Sequence, residues 1–333
     1  MQILHQNYNY PSNRGNILGI GNALERSSMK RRHILVIVYL VLIAASTVAT
    51  QETTSPADLK KNDQPSTGYK LVWADEFDKA GRPDPHNWTY ERGFVRNEEL
   101  QWYQPDNARC ENGLLIIEAR RESKQNPHHN PNSKNWRENR KYSEYSSASL
   151  TTRGLHKWMY GRFELRGRID TRAGLWPAFW TLGIEGQWPS NGEIDIMEYY
   201  RGMLLANAAW GTKKRWVPKW DNIRIPITEF NDPNWSAKFH VWRMDWDIDN
   251  IKLYVDDLLL NTIDLKETFN KSKDRRNPFR QPHYIILNLA IGGKAGGDPS
   301  NTKFPVRFEV DYVRIYKQQV LNETAEPISS ADR

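Results

Sequence analysis

NGEIDIMEYY, residues 191–200, decides how this sequence is interpreted, because it places three carboxylates in an otherwise apolar run. Side chains alternate between the two faces of a β-strand, so Glu193 and Asp195 share one face and the isoleucines beside them point to the other. Glu198 follows Asp195 by three residues and would fall on the apolar face of a regular strand. One extra residue between them, a β-bulge, returns Glu198 to the face of the other two. The sequence therefore predicts a bulged strand with three carboxylates on one face.

The spacing of the two glutamates suits acid–base chemistry on a sugar. They stand about four strand steps apart, roughly 13 Å along the backbone, and two long side chains that lean together close most of that distance. A retaining glycosidase requires two carboxyl groups about 5 to 5.5 Å apart, one as nucleophile and one as proton donor. Crowded like charges cannot all ionise cheaply, so one carboxyl group should keep its proton near neutral pH. Taken alone, the motif also fits an exposed acidic strand or a cation site.

The residues around this strand resemble a known enzyme family. GLWPAFWTLG, residues 174–183, and the pair Trp188-Pro189 precede the carboxylates. Together they are similar to glycoside hydrolase family 16, and above all to its laminarinase-like branch of endo-β-1,3-glucanases. Further similar segments are WADEFD, NEELQWY, LTTRG, FHVWRMDWD, HYIILNLAIGG and VDYVRIY. The resemblance covers nearly everything from about Tyr69 to Tyr316.

The pattern between these motifs is that of an all-β protein. Short alternating or apolar runs are separated by Gly, Pro and Asn, with at most short helices near Ile227 to Phe239. Such runs without helix–strand alternation indicate a two-sheet antiparallel β-sandwich. The resemblance implies a jelly roll of the concanavalin A-like kind with a concave substrate cleft. The polar segment Arg120 to Tyr145 is predicted to be a long loop that shapes the binding site.

The domain boundaries follow from changes in composition. Residues 1–49 form a leader in which a basic stretch after Met29 precedes an apolar run at residues 34–45 and a small-residue site, the pattern of a secretory signal. Residues 50–68 resemble a disordered linker, residues 69–317 form the catalytic domain and residues 318–333 a polar tail. We expect a secreted, extracellular or periplasmic protein that starts at Met1 or Met29. An uncleaved leader would anchor the protein in a membrane.

The composition limits the kinds of partner that this protein can bind. The net charge is +7, yet 47 basic residues are spread among 40 acidic ones, and no nucleic-acid motif is present, so nucleic acid is excluded as a partner. All 14 tryptophans fall between Trp73 and Trp246, a surplus that an open carbohydrate cleft would need. The single cysteine, Cys110, allows no intrachain disulfide. We expect a monomer that acts on a polysaccharide and needs no cofactor for its chemistry.

The resemblance assigns roles to individual residues. It implies Glu193 as nucleophile, Glu198 as general acid and base, and Asp195 as the residue that positions and tunes Glu193. Trp188 matches the family tryptophan under the sugar at the cleavage point. The other residues that we expect to bind substrate are Trp176, Trp180, Asn97, Arg153, Asn207 and Trp210.

Two features go beyond the catalytic motif. On the strand after the carboxylates many relatives carry a histidine, whereas this chain offers Asn207 and Trp210, and the basic, aromatic segment Lys213–Asp221 follows. If that segment lines the cleft, it could favour a charged glycan. Separately, Asp311 matches a family position for a structural calcium ion, with oxygens near Gly113 and Glu76 as further ligands.

These residues leave three functions open. The first is an endo-glycanase that hydrolyses β-1,3-glucan of the laminarin type. The second is the same chemistry on mixed-linkage glucan or a sulfated galactan. The third is a β-glucan-binding recognition protein without catalysis, against which the presence of all three carboxylates counts, because such binders usually lack the glutamates.

Overall fold

The computed structural model describes residues 68–271 and 275–319 of the chain. Seventeen strands in this part of the chain form two stacked sheets. The strands are β1 (Tyr69–Asp75), β2 (Thr89–Tyr90), β3 (Gln101–Tyr103), β4 (Ala108–Glu111), β5 (Leu114–Gln125), β6 (Tyr142–Ser147), β7 (Ser149–Thr151), β8 (Gly161–Ile169), β9 (Leu175–Gly183), β10 (Glu193–Tyr200), β11 (Met203–Gly211), β12 (Pro218–Pro226), β13 (His240–Trp246), β14 (Asn250–Val255), β15 (Leu258–Asp264), β16 (His283–Ile291) and β17 (Val306–Gln318).

Helical structure is confined to single turns. Two four-residue α-helices, α1 (Trp136–Asn139) and α2 (Gly293–Gly296), occur together with four 3₁₀ turns in the described residues. The 3₁₀ turns are Pro105–Asn107, Ile227–Phe230, Trp235–Ala237 and Leu265–Glu267. Two of them lie in the region where the sequence predicts short helices.

The strand order separates the two sheets. The seven-stranded sheet runs β12-β11-β10-β9-β16-β7-β2. The ten-stranded sheet runs β15-β14-β13-β8-β17-β5-β6-β3, with β1 paired to β17 and β4 paired to β5. Its pairs are antiparallel except for β3 with β6, which run parallel. The predicted all-β, two-sheet sandwich is confirmed.

The alternation of side chains explains which face of each strand is covered. In β8 and β13 every second residue is buried, as expected for strands with one face in the core. The buried side chains of the two sheets meet in one large cluster, which includes Phe163 and Trp242 from the ten-stranded sheet and Phe179 and Leu287 from the seven-stranded sheet. This layer fixes the orientation of the seven-stranded sheet and leaves its opposite face, here called the open face, to carry the cleft.

The prediction of a long loop over Arg120 to Tyr145 is only partly correct. β5 continues to Gln125 and β6 begins at Tyr142, so both ends of that segment belong to strands. Their outer residues alternate between half-buried and exposed, which a polar sequence satisfies without contributing to the core. The remaining loop contains α1. Its side chains Arg137 and Arg140 donate hydrogen bonds to backbone carbonyl groups of residues 95–99.

The predicted leader and linker and nearly all of the predicted tail lie outside the described residues. Among the residues that are described, none belongs to a helix long and apolar enough to cross a membrane.

Candidate active site

The register of β10 contains the predicted bulge. Against β11, Asp195 pairs with Asn207 and Glu198 with Leu205, so three steps on β10 match two on its neighbour. The same shift appears against β9. Ile196 and Met197 are both fully buried in the core between the sheets. The bulge thus turns two successive apolar residues inward and returns Glu198 to the open face.

The three carboxylates lie in the middle of the seven-stranded sheet, with β9 on one side and β11 on the other. Asp195 is 3% exposed, whereas Glu193 and Glu198 are half-buried and reach the surface of the cleft. The two glutamates therefore face the space where a substrate would lie. Asp195 sits beneath them as a buried support.

An indole donates a hydrogen bond to each glutamate. Trp188 Nε1 lies 2.5 Å from Glu193 Oε2, and Trp176 Nε1 lies 2.6 Å from Glu198 Oε1. Indole nitrogens can only donate, so these contacts orient the carboxyl groups without competing for their protons. Trp188 and Trp176 thereby occupy the site in which the sequence predicts them.

Burial raises the pKa of all three acids. Loss of water raises the pKa of Glu193 to about 7, opposed by the Trp188 hydrogen bond and the positive charge of Arg96. Glu198 rises to a pKa of about 8, through burial and the negative charge of Glu193. Burial and both neighbouring glutamates raise the pKa of Asp195 well above its ordinary range. Asp195 therefore holds a proton that it donates in a hydrogen bond to Glu193, and of the two glutamates Glu198 is the better proton donor.

The sequence-based search missed Arg96, a cation close to this group. Its guanidinium lies 5.0 Å from the centre of the Trp180 ring and forms an ion pair with Glu91. Glu91 also accepts a hydrogen bond from Ser149 Oγ at 2.6 Å. Arg96 favours the ionised form of Glu193. Nothing in the short polar stretch before Asn97 predicts this role, because only the fold places Arg96 against the Trp180 ring.

Glu99 acts in the opposite direction. It is 2% exposed and accepts a hydrogen bond from Gln101 Nε2 at 2.7 Å. Its negative charge raises the pKa of Glu198 and so favours the protonated form. Glu99 thus adds to the larger effect of Glu193 on the pKa of Glu198, and both are opposed by the Trp176 hydrogen bond and the positive charge of Arg224.

Comparison with known proteins identifies the family to which the chain belongs. The profile of glycosyl hydrolases family 16 matches residues 102–314. The chain belongs to that family. A β-glucanase from Rhodothermus marinus is 37% identical over 274 residues, which cover 75% of this chain and 85% of the relative.

Two solved structures extend the comparison. The structure of the laminarinase from Rhodothermus marinus is 37% identical, with a TM-score of 0.61 over 76% of this chain and 98% of the other. A chain solved in work on endo-acting O-glycanases, which members of the human gut microbiota express to initiate mucin breakdown, is 35% identical. Its TM-score is 0.70 over 77% of this chain and 93% of that one. The protein is thus a glycoside hydrolase of the laminarinase-like kind.

The structure brings two further predicted residues of this family 16 enzyme, Trp180 and Arg153, together on the open face. Trp180 pairs in register with Asp195 and donates a hydrogen bond to Asn288 Oδ1 at 2.7 Å. Arg153 is exposed, with its guanidinium 5.6 Å from the centre of the Tyr284 ring, and Tyr284 packs in the same small cluster as Trp180. Asn97 is also exposed, with a positive φ of 54°. Trp176 and Trp180, four residues apart on β9, both lie on the open face.

Asn207 and Trp210 lie on opposite faces of β11. Asn207 is buried at the open face, with Nδ2 3.5 Å from Asp195 Oδ2, so it supports a carboxylate from below and does not face the substrate. The prediction that Trp210 binds substrate is wrong. Trp210 lies three residues further along β11, an odd number of steps, and therefore points into the core, where it is 2% exposed and packs against Phe279.

The expected calcium ligands Asp311 and Glu76 each pair with an arginine in this arrangement. Arg166 Nη1 lies 2.8 Å from Asp311 Oδ2, and Arg314 binds both carboxylate oxygens of Glu76. A guanidinium thus already neutralises each carboxylate. Within residues 68–271 and 275–319, no group of three His, Cys, Asp or Glu side chains could hold a metal ion. Gly113 lies in the turn between β4 and β5, with a φ of 74°. Calcium stays an untested prediction.

We expect kcat/KM to depend on pH through the two glutamates. The reaction needs Glu193 ionised and Glu198 protonated, so kcat/KM should rise with pH through about 7 and fall through about 8. A pH series of kcat/KM on soluble polysaccharide measures both limbs. Replacement of Arg96 by Met should move the rising limb to higher pH, because it removes the cation that favours ionised Glu193. An optimum near pH 4 would contradict the raised pKa values.

The same pKa shifts predict a change in stability for Glu198→Gln. A carboxyl group whose folded pKa exceeds its ordinary value of 4.5 stabilises the fold fully below that value and loses the contribution as pH rises through about 8. The variant should therefore melt several degrees above the wild type at pH 8 and at nearly the same temperature at pH 4. Thermal unfolding at both pH values measures the difference, and equal melting temperatures at pH 8 would contradict it.

We expect Trp210→Ala to act on stability and not on substrate binding. Loss of a buried indole should cost about 3–5 kcal/mol of unfolding free energy, while KM well below the melting temperature should stay near the wild-type value. Denaturant unfolding and steady-state kinetics measure the two effects. Trp188→Ala is the matched control, with small loss of stability and large loss of activity. A raised KM in a stably folded Trp210 variant would return that residue to the cleft.

Proposed function

We propose that the protein is a secreted, retaining endo-glycanase that hydrolyses β-1,3-glucan. The observation that carries this proposal is the bulge in β10, which presents Glu193 and Glu198 on one face with a separate indole bonded to each. The names of its relatives support the substrate, since they include a β-glucanase and a laminarinase. The signal-like segment before residue 50 supports secretion.

The reaction proceeds in two displacements. In the first, ionised Glu193 attacks the anomeric carbon while protonated Glu198 gives its proton to the oxygen of the leaving sugar. The glycosidic bond breaks and a covalent glycosyl-enzyme forms. In the second, Glu198 takes a proton from water, and the water oxygen attacks the same carbon and releases Glu193. Two inversions leave the configuration of the product as it was in the substrate.

The surrounding groups serve this cycle. The proton of Asp195, shared with Glu193, orients the nucleophile and offsets its charge before attack. The Trp188 indole bonded to Glu193 stabilises the carboxylate that returns when the intermediate is hydrolysed. Because the two glutamates are half-buried, their charges interact through a medium that contains little water. The electrostatic interactions at the site are therefore stronger than they would be in bulk water.

A second substrate class is supported by one specific observation. The chain is similar, with a TM-score of 0.70, to a structure from work on O-glycanases that initiate mucin breakdown. On the strand where many laminarinase-like relatives carry a histidine, this chain offers only Asn207 and Trp210. The second candidate is therefore the same chemistry on a galactose-containing or sulfated glycan. The non-enzyme alternative, a β-glucan-binding protein, is disfavoured because all three carboxylates are present and oriented.

A reducing-end assay on the purified protein tests the substrate directly. Laminarin, lichenan, carrageenan, agar and mucin are offered in parallel, and we expect the highest rate on laminarin. Release of products of intermediate length early in the reaction would support endo-action. Turnover of mucin or a galactan alone would replace the β-1,3-glucan proposal with the second candidate.

We expect Glu193→Gln to abolish turnover and to keep glycan binding. The amide preserves the shape of the side chain but cannot form the glycosyl intermediate. Initial rates together with retention in a laminarin-containing gel separate catalysis from binding. Substantial residual activity would remove Glu193 from the role of nucleophile.

Glu198→Ala should be slow on polymer and partly rescued by azide. The anion can attack the glycosyl-enzyme from the face that the missing base used to serve, and a β-azide product is expected. Proton NMR of the product determines the configuration. An α-azide would mean that the two glutamates exchange roles.

Charge on the loop after β11 should matter little for a neutral substrate. Lys213 and Lys214 are exposed, and Arg215 is tied to Gln187 Oε1 at 2.8 Å. We expect KM on laminarin to be nearly independent of salt, and the double variant Lys213→Ala, Lys214→Ala to change it little, because screening acts over about 8–10 Å near physiological ionic strength. A salt series on laminarin and on a sulfated galactan makes the comparison. A KM that rises steeply with salt, on the sulfated polymer alone, would support the second candidate.

A further inference from the structure

The edge strand β12 presents its polar side chains on the same face as the carboxylates. Its register with β11 is regular, and Ala209 pairs with Trp220, Asn207 with Asn222, and Leu205 with Arg224. All three β12 residues are exposed, and Trp220 is 37% exposed. An exposed Trp, Asn and Arg in alternate positions of one strand face form a continuous polar and aromatic surface.

The rows of the sheet connect this surface to the site. Across β10 and β11 the same register joins Glu193 to Ala209, Asp195 to Asn207, and Glu198 to Leu205. Trp220 therefore ends the row of Glu193, and Arg224 ends the row of Glu198. Between them on β11 lie only the small or apolar side chains of Ala209 and Leu205 and the buried amide of Asn207, so the path from the carboxylates to β12 carries no large polar side chain of the sheet.

Strand spacing gives the distance. Neighbouring strands lie about 4.8 Å apart, and β12 is the second strand from β10, so its side chains begin about 10 Å from the carboxylates. That is about the length of a disaccharide. The charge of Arg224 also reaches the acid–base residue, since it lowers the pKa of Glu198 against the effect of burial.

The opposite side of β10 is built differently. There Trp180 and Tyr284 form a buried aromatic cluster with the guanidinium groups of Arg96 and Arg153 over their rings. This enclosed side suits the sugar that is held and distorted while its anomeric carbon reacts. The open edge at β12 suits the part of the chain that leaves.

We propose that Trp220, Asn222 and Arg224 form a leaving-group subsite that binds the second sugar beyond the cleaved bond. The Trp220 ring stacks on the apolar face of a pyranose, and Asn222 and Arg224 donate hydrogen bonds to its hydroxyl groups. The identity of that sugar as a β-linked glucose unit rests on the proposed function. The position of the subsite rests on the sheet register alone.

Two substrates distinguish an effect on this subsite from an effect on the rest of the cleft. Laminarin fills both sides of the cleavage point, whereas para-nitrophenyl β-laminaribioside places only the aryl group on the leaving side. We expect Trp220→Ala to lower kcat/KM on laminarin about tenfold and Arg224→Gln about fivefold. Trp220→Ala should cleave the aryl glycoside at the wild-type rate. Arg224→Gln also removes a charge that lowers the pKa of Glu198, so for this variant the loss on laminarin should exceed any change on the aryl glycoside.

The matched control lies on the same strand. Lys219 is also exposed and cationic, but it pairs with Trp210 and lies over that ring, 5.1 Å from its centre, on the other face of the sheet. Lys219→Gln should match the wild type on both substrates. Melting temperatures of all three variants check that the fold is intact.

The pattern of cleavage gives a readout that does not depend on which polymer is the substrate. With oligosaccharides labelled at the reducing end, loss of the subsite should reduce cleavage at the second bond from that end relative to the first bond, because cleavage at the first bond leaves the subsite empty. Equal losses on laminarin and the aryl glycoside, or no loss on either, would overturn the subsite. A wild type that cleaves neither would refute the β-1,3-glucan proposal instead. The subsite would then be tested by the same comparison of labelled fragments, with oligosaccharides of the polymer that the wild type does degrade.

Discussion

The site depends on one irregularity of the backbone, the bulge between Asp195 and Glu198. A regular strand can turn two carboxylates of this motif to the open face but sends the third into the core. With the bulge, two apolar side chains in succession, Ile196 and Met197, fill the space between the sheets. Packing and chemistry are thus coupled. The core accepts the extra residue because both inward-facing side chains are apolar, and the cleft gains its third acid.

Three acids in one place create an electrostatic problem that the surroundings resolve. Burial alone would favour the neutral form of all of them. The Trp188 indole and the Arg96 cation favour charge on Glu193. On Glu198, the negative charges of Glu193 and Glu99 favour a proton, against the Trp176 indole and Arg224. Arg96 and Glu99 lie in the segment between β2 and β3, which arginines of the loop around α1 hold by hydrogen bonds to its backbone. A loop remote in sequence thereby helps to fix the charge distribution of the cleft.

The sequence predicted the fold class, the bulge and the three carboxylates, because each leaves a local mark: alternation, a spacing of three, and acidic side chains among apolar ones. It failed where the outcome depends on parity or on distant packing. Trp210 has the composition of a cleft residue but lies an odd number of steps from Asn207, which turns it into the core. Arg96 gains its role from a contact with Trp180, 84 positions away, that no local pattern encodes. Calcium binding by Glu76 and Asp311 stays a prediction, and what the sequence did not indicate is the arginine that pairs with each carboxylate.

The order of pairing in the ten-stranded sheet has a consequence for how the domain is assembled. β17, the last strand along the described chain, is the central one, since β1, β5 and β8 all pair with it. Until it is in place, these earlier strands have unsatisfied backbone groups on exposed edges, the arrangement that invites association between chains. During synthesis the middle of this sheet must wait for its final segment. A nascent or truncated chain that stops before Val306 would accordingly lack the strand that joins its parts, and productive folding becomes a late, long-range event.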